Sequence, residues 1–149
     1  MKEHVFLFEP GTWLGEGKIK LTMSEEKLQF YTKWTIPKID PSGCLECVQD
    51  IEISGLSDPM RNEFAITEIG EEGFVIELEN QSLGKIFGKG MIKKNVISWE
   101  FRNAELGFEG FEFYEKQADG TYFMHAEYAT TDDFRTVIQG KIWKQKDES

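Results

Sequence analysis

Residues 8–19 read FEPGTWLGEGKI, and this stretch decides the fold. In an extended chain Trp13, Gly15 and Gly17 share one parity, so they line one face of a strand. Glycine weakens a strand, and two glycines at alternate positions indicate a bend or a close approach of another backbone. A large aromatic residue beside them is typical of a strand that bends at the closed end of a small barrel. The stretch therefore predicts an architecture and says little about chemistry.

The rest of the chain repeats this period-two pattern. About ten segments of roughly 7–12 residues alternate apolar and polar positions between turn residues, and no amphipathic helix of three turns interrupts them. Nearly every connection is short enough for a hairpin, and Asp119-Gly120 is a preferred hairpin step. A long antiparallel meander removes its exposed edges by closing on itself. We therefore predict an all-β fold, a closed antiparallel up-and-down β-barrel of about ten strands, as a single domain over residues 1–149.

The composition argues against several classes of partner. The net charge is −10, whereas nucleic acid and anionic membranes both require a basic face. No run of eighteen apolar residues is present, so we predict no membrane insertion. Cys44 and Cys47 would point to opposite faces of a strand, which disfavours a disulfide and shared metal binding. Plain thiols without a signal-peptide pattern predict a cytoplasmic protein.

The run GTWLGEG, which begins at Gly11, and the ten-strand layout across essentially the whole chain together resemble the lipocalin-like calycins. The nitrobindin-type barrels and related small bacterial lipocalin-like domains open in a similar way. The resemblance implies a closed barrel with an apolar cavity. It also implies that Trp13 packs across the closed end under a basic residue of the last strand, for which Arg135, Lys141 and Lys144 are the candidates.

Nitrobindin-type proteins hold haem through a histidine on the last strand. The last predicted strand, residues 135–144, contains no histidine, and a loose match puts Val137 or Ile138 at the ligand position. His125 on the preceding strand could replace it, although a histidine satisfied by its neighbours is the simpler interpretation. No second histidine lies at ligand spacing, so we predict no metal site and no cofactor.

The first functional hypothesis is a binding protein that holds a small apolar or aromatic ligand in the barrel. It follows from the barrel layout and from the lack of a catalytic motif, so we assign no catalytic residue. The candidate ligand-binding residues are large aromatic side chains that we predict to face inward. They are Trp13, Phe30, Trp34, Phe64, Trp99, Phe111 and Phe113.

The second hypothesis is an enzyme of the isomerase or lyase type that uses a carboxylate and a tyrosine inside the barrel. Glu109, Glu112 and Glu115 lie among aromatic residues, and Glu112 has the opposite parity from the other two. One of the two faces of this strand must be the cavity side, so we expect at least one carboxylate to face inward. The alternative is that the strand keeps its acids outside. Glu112 with Tyr114 or Tyr128 is the pair that such chemistry would use. A barrel that binds a protein partner and no ligand is a further alternative.

Overall fold

The computed structural model describes residues 4–22, 26–55, 58–130 and 135–146. Within these ranges all regular structure is β. The strands are β1 (Gly11–Leu21), β2 (Lys27–Ile36), β3 (Leu45–Ile53), β4 (Met60–Thr67), β5 (Gly73–Asn80), β6 (Gly84–Ile92), β7 (Val96–Asn103), β8 (Phe108–Lys116), β9 (Tyr122–Ala129) and β10 (Arg135–Lys144). Each strand pairs with the next in antiparallel fashion, and β1 pairs with β10 to close the barrel. The predicted fold class is confirmed.

The glycines of β1 lie at the seam where the barrel closes. Gly17 lies opposite Gly140 of β10, and a Cβ atom on Gly140 would stand 3.1 Å from the Cα of Gly17. A Cβ atom on Gly15 would stand 2.6 Å from the Cγ2 of Ile142. A side chain at Gly15 or at Gly140 would collide with the neighbouring strand. The alternate glycines therefore permit the close approach that closure needs.

The interior divides along the barrel axis into a packed half and a hollow half. The packed half lies where β1 begins and is filled by aromatic side chains at most 2% exposed. We call these side chains the aromatic layer, which consists of Phe6, Trp13, Trp34, Trp99, Tyr114 and Tyr122. Their ring centroids lie 4.9–6.3 Å apart in tilted and edge-to-face pairs. Such pairs contribute roughly 0.5–1.5 kcal/mol each beyond area burial.

The segment before β1 closes the packed half as a plug. Phe6 and Leu7 are fully buried, and Phe6 sits among the rings of the aromatic layer. His4 is also buried: its Nδ1 lies 2.8 Å from the Tyr122 hydroxyl, and its Nε2 lies 2.6 Å from the carbonyl oxygen of Lys93. A carbonyl can only accept, so Nε2 carries a proton, and in the neutral ring Nδ1 then accepts from the Tyr122 hydroxyl. These contacts tie the segment to β9 and to the β6–β7 turn.

Among the basic residues expected near Trp13, Lys144 is the one that pairs with it across the β1–β10 seam. Arg135 lies at the other end of β10 and forms an ion pair with Glu127 at 3.1 Å. Lys141 points away from the interior toward Asp119. The register therefore favours Lys144 among the three candidates.

Cys44 and Cys47 are free thiols. Burial raises the pKa of Cys47 to about 12, which keeps this thiol protonated and unreactive. In the described part of the chain, no three His, Cys, Asp or Glu side chains come together as a metal site. Nor do those residues form a helix of the length and apolarity needed to cross a membrane.

Candidate functional site

The hollow half contains a cavity of about 300 Å³ at the end of the barrel where β1 finishes and β2 begins. Apolar side chains form most of its wall, and six polar residues interrupt them. The apolar residues are Ile19, Leu21, Leu28, Phe30, Ile51, Ile53, Met60, Leu78, Leu83, Phe108, Met124 and Ile138. The polar residues are Gln49, Asn62, Asn80, Glu112, Tyr128 and Thr136.

Five of the seven aromatic residues predicted to face inward do so, but only Phe30 lines this cavity. Trp13, Trp34 and Trp99 belong to the aromatic layer, and Phe64 stacks on Trp34 with ring centroids 5.1 Å apart. These four side chains fill space in the packed half. Contact of any of the five with a ligand stays a prediction.

The predicted inward orientation is wrong for Phe111 and Phe113. Both lie on the outer face of β8, where Phe111 is 39% exposed and Phe113 packs on the ring of His125. The inner face of this strand carries Glu112 and Tyr114 instead. Because side chains alternate along a strand, the buried position of Glu112 forces its two neighbours outward.

Glu112 is buried on the cavity wall and accepts hydrogen bonds from two tyrosines. Tyr114, which belongs to the aromatic layer, donates to Oε1 at 2.7 Å. Tyr128 of β9, which lines the cavity, donates to Oε2 in a short hydrogen bond. We call these three residues the carboxylate cluster. It lies at the boundary between the packed half and the hollow half. Among the described residues that line the cavity, Glu112 is the only acidic one.

Local sequence explains how the carboxylate cluster forms. Gly110 lies opposite Tyr128 in the β8–β9 register, and a Cβ atom on Gly110 would stand 2.7 Å from the ring atom Cε1 of Tyr128. The missing side chain thus leaves room for the phenol to lie against β8. Phe108 stacks on the same ring with centroids 5.7 Å apart. These contacts hold the Tyr128 hydroxyl at Glu112.

Burial raises the pKa of the Glu112 carboxyl above its ordinary value. Hydrogen bonds from Tyr128 and Tyr114 oppose that rise, and the indole N–H of Trp99 also favours the charged form without reaching ordinary hydrogen-bond geometry. Burial and the nearby carboxyl raise the pKa of both tyrosines far above the ordinary range. Both phenols are therefore protonated donors at neutral pH, and Glu112 is the group of the cluster that titrates.

A chain of neutral polar side chains crosses the opposite wall of the barrel from β2 to β5. Asn80 donates to Asn62 at 3.0 Å, and Asn62 donates to Gln49 at 3.1 Å. Gln49 in turn donates to Thr32 at 3.1 Å. We call these four residues the amide ladder. Gln49 could be noticed in the sequence as the polar residue on the apolar face of β3, although parity alone does not place it beside Asn62.

His125 lies on the outer face of β9, away from the cavity. Its ring is stacked between Phe111 and Phe113 at 5.9 and 5.3 Å. Nε2 lies 3.0 Å from Glu127, and Gln139 donates to Nδ1 at 3.1 Å. This position agrees with the interpretation of a histidine satisfied by its neighbours. His4 is in the plug, so neither histidine of the chain reaches the cavity and the site does not fit a histidine-held haem.

Comparison with known proteins identifies the architecture. Protein-family models and curated protein sequences give no match to the chain. Among solved structures, the chain is similar to an S-type phycobiliprotein lyase, CPES, from Guillardia theta, with a TM-score of 0.70. The match covers 94% of this chain and 90% of that one, at 7% sequence identity. Such identity supports a shared fold and leaves activity open. This likeness and the closed ten-strand antiparallel topology show the fold of the chain, a closed up-and-down β-barrel like those of the lipocalin-like calycins.

Proposed function

We propose that the protein binds a small, largely apolar molecule in the hollow half of its barrel. The observation that carries this proposal is the 300 Å³ cavity, whose wall is mainly apolar and contains a few converging polar groups. This combination is the usual composition of a small-molecule site. The packed half supplies the rigid floor, so the cavity is preformed in the fold.

The size of the cavity limits the ligand. An apolar protein cavity of about 150 Å³ can bind benzene. A volume of about 300 Å³ therefore accommodates a body of roughly two fused rings or a short branched chain. 2-Naphthylmethanol, which has two fused rings and one neutral polar group, is a suitable test ligand.

We predict that Ile138→Trp weakens the binding of 2-naphthylmethanol at least about tenfold, which corresponds to about 1.4 kcal/mol. Ile138 lines the cavity, so the larger indole occupies the volume that the ligand needs. Val137→Trp is the matched control, because Val137 is the next residue on β10 and points outward. Isothermal titration calorimetry measures the dissociation constants of the wild-type protein and both variants.

Native mass spectrometry of the freshly purified protein complements the titration. A co-purified mass that leaves on denaturation and is absent from Ile138→Trp supports the cavity as the site. Equal affinity of all three proteins for 2-naphthylmethanol would place binding elsewhere and overturn the proposal.

Proton-transfer catalysis is the second candidate function, and the carboxylate cluster favours it. Glu112 is a buried carboxyl with a raised pKa at the cavity wall, which is the usual state of a general base or acid. In its ionised form it could remove a proton from a carbon next to a carbonyl group. Once Glu112 holds this proton it can donate to the Tyr128 oxygen, which frees the Tyr128 hydroxyl proton to form a hydrogen bond to the enolate oxygen. The proton on Glu112 would then return to the same or another carbon.

Hydrogen–deuterium exchange of the methyl group of 2-acetonaphthone tests this second candidate without a known substrate. We predict that the wild-type protein in D₂O accelerates exchange and that Glu112→Gln reduces the acceleration about 100-fold or more, the usual range for a general base. Glu109→Gln removes an exposed charge from the same strand and serves as the control. Equal rates for wild type and Glu112→Gln, followed by NMR, would exclude this role.

A further inference from the structure

The charge of the cavity wall restricts the ligand that the proposed function would bind. Among the described residues that line the cavity, Glu112 and Tyr128 are the ionisable ones, and none is a lysine, arginine or histidine. A carboxylate or phosphate ligand would therefore be buried beside an acid without a compensating cation. Burial of an unpaired charge is strongly unfavourable.

The carboxylate cluster has unused capacity to accept hydrogen bonds. Tyr114 and Tyr128 donate to different oxygens of Glu112, so one hydrogen bond of known geometry reaches each oxygen. An ionised carboxylate offers about four acceptor positions. Glu112 faces the cavity, so a ligand or water in the cavity can reach the remaining positions. While Glu112 is ionised, a ligand group that takes these positions must be a hydrogen-bond donor.

The amide ladder makes the opposite wall polar without charge. β3 and β4 lie five places round the ring of ten strands from β8 and β9, so Gln49 and Asn62 stand across the barrel from Glu112. Each ladder amide uses one of its two N–H donors within the ladder. This wall can therefore pair with a hydroxyl, carbonyl or amide group, but it cannot neutralise an anion.

We propose that the cavity selects a ligand with an N–H donor that binds Glu112, ideally a protonated amine on an apolar body, and that it rejects carboxylates. This inference rests on the proposed function, because it names the ligand class of the same cavity. A cationic head group replaces the hydration that Glu112 loses on burial and leaves no unpaired charge inside. The apolar wall holds the body of the ligand between the carboxylate cluster and the amide ladder.

A series of three ligands with the same two-ring body tests the inference. Dissociation constants for 2-naphthylmethylamine, 2-naphthylmethanol and 2-naphthoate are measured by calorimetry at pH 7. The expected order is amine, alcohol, carboxylate, with the amine at least about tenfold tighter than the carboxylate. Glu112→Gln should weaken the binding of the amine more than that of the alcohol, so that the two dissociation constants approach each other.

The net charge of −10 attracts any cation, so two controls separate this general effect from the site. Measurements at about 0.15 M salt screen distant charges. Glu109→Gln removes one outward charge from β8 and should keep the wild-type order. If the wild-type protein binds the alcohol but binds the amine no better than the carboxylate, the inference is wrong and the proposed function stands. If none of the three ligands binds, both fail.

Discussion

Replacing Phe6 with alanine should lower the free energy of unfolding by about 3–5 kcal/mol, the usual loss for a large aromatic side chain in a core. Phe6 is fully buried, and its ring centroid lies 4.9–5.5 Å from those of Trp13, Trp34, Tyr114 and Tyr122. Its removal leaves a void that four rings on different strands cannot all move to fill. Urea unfolding followed by tryptophan fluorescence measures the loss.

Phe87→Ala is the matched control, since this phenylalanine of β6 is 63% exposed on the outer face. Its loss should change the free energy of unfolding by no more than about 0.5 kcal/mol, as for most surface substitutions. Leu7 adds an independent observation. Its backbone has a left-handed φ of 78°, which leucine rarely adopts and which persists only where the surrounding contacts hold the segment in place. A loss near that of the control for Phe6→Ala would mean that the segment is a loosely held lid.

The sequence predicts the barrel because period-two alternation is a local property. Strand β2 shows this clearly: Phe30, Trp34 and Ile36 lie on one parity, and Pro37 follows the end of the strand. The glycine pair of β1 adds a feature of tertiary structure, since Gly15 and Gly17 are needed only where another strand comes close. These signals were sufficient for the fold.

The orientation of β8 could not be predicted in the same way, because both of its faces carry aromatic residues. Parity separates Phe111 and Phe113 from Glu112 but does not say which set is inside. The β7–β8 register decides it: Glu112 lies opposite Trp99, and directly opposed residues point to the same side. Trp99 shares an unambiguous apolar face with Ile97 and Phe101, so Glu112 must also face inward. That register depends on the length of the connecting turn, which the sequence pattern left open.

The position of the cavity also lay beyond the sequence. Parity gives the face of a residue and not its height in the barrel, so the sequence predicts the same ligand-binding role for Trp13, Trp34 and Phe30. In the structure the two tryptophans lie in the aromatic layer and Phe30 lies on the cavity wall. Phe6 of the plug packs among the rings of the aromatic layer, a contact that parity within the strands does not predict.

Glu112→Gln should stabilise the protein increasingly as the pH rises. Burial raises the pKa of Glu112 in the folded state above its ordinary value of 4.5. Below about pH 4.5 the carboxyl is protonated in both states, so its full contribution to stability is present. As the pH rises from the unfolded-state pKa to the folded-state pKa, the unfolded chain ionises in water while the folded protein keeps the proton, so the contribution falls. Once the pH has passed the folded-state pKa, the folded protein buries the charge and the contribution is lost.

The glutamine variant does not titrate, so it keeps the stability that the wild type loses. Between the unfolded and folded pKa values, its advantage should grow by up to about 1.4 kcal/mol per pH unit. The two phenols can still form hydrogen bonds, because a tyrosine hydroxyl can donate to the amide oxygen or accept from the amide N–H. Urea unfolding at several pH values gives the difference, and Glu109→Gln controls for the loss of one negative charge.

The same series relates stability to function. A difference that stays flat from about pH 4 to about pH 8 would mean that Glu112 ionises as easily in the folded protein as in the unfolded chain. If the difference grows with pH, a protonated amine in the cavity should reduce it, because the cation stabilises the ionised carboxylate in the folded wild type alone. The neutral 2-naphthylmethanol should stabilise both proteins alike. The free-energy cost of burying the ionised Glu112 carboxylate is then the reason why the cavity prefers a ligand with a hydrogen-bond donor.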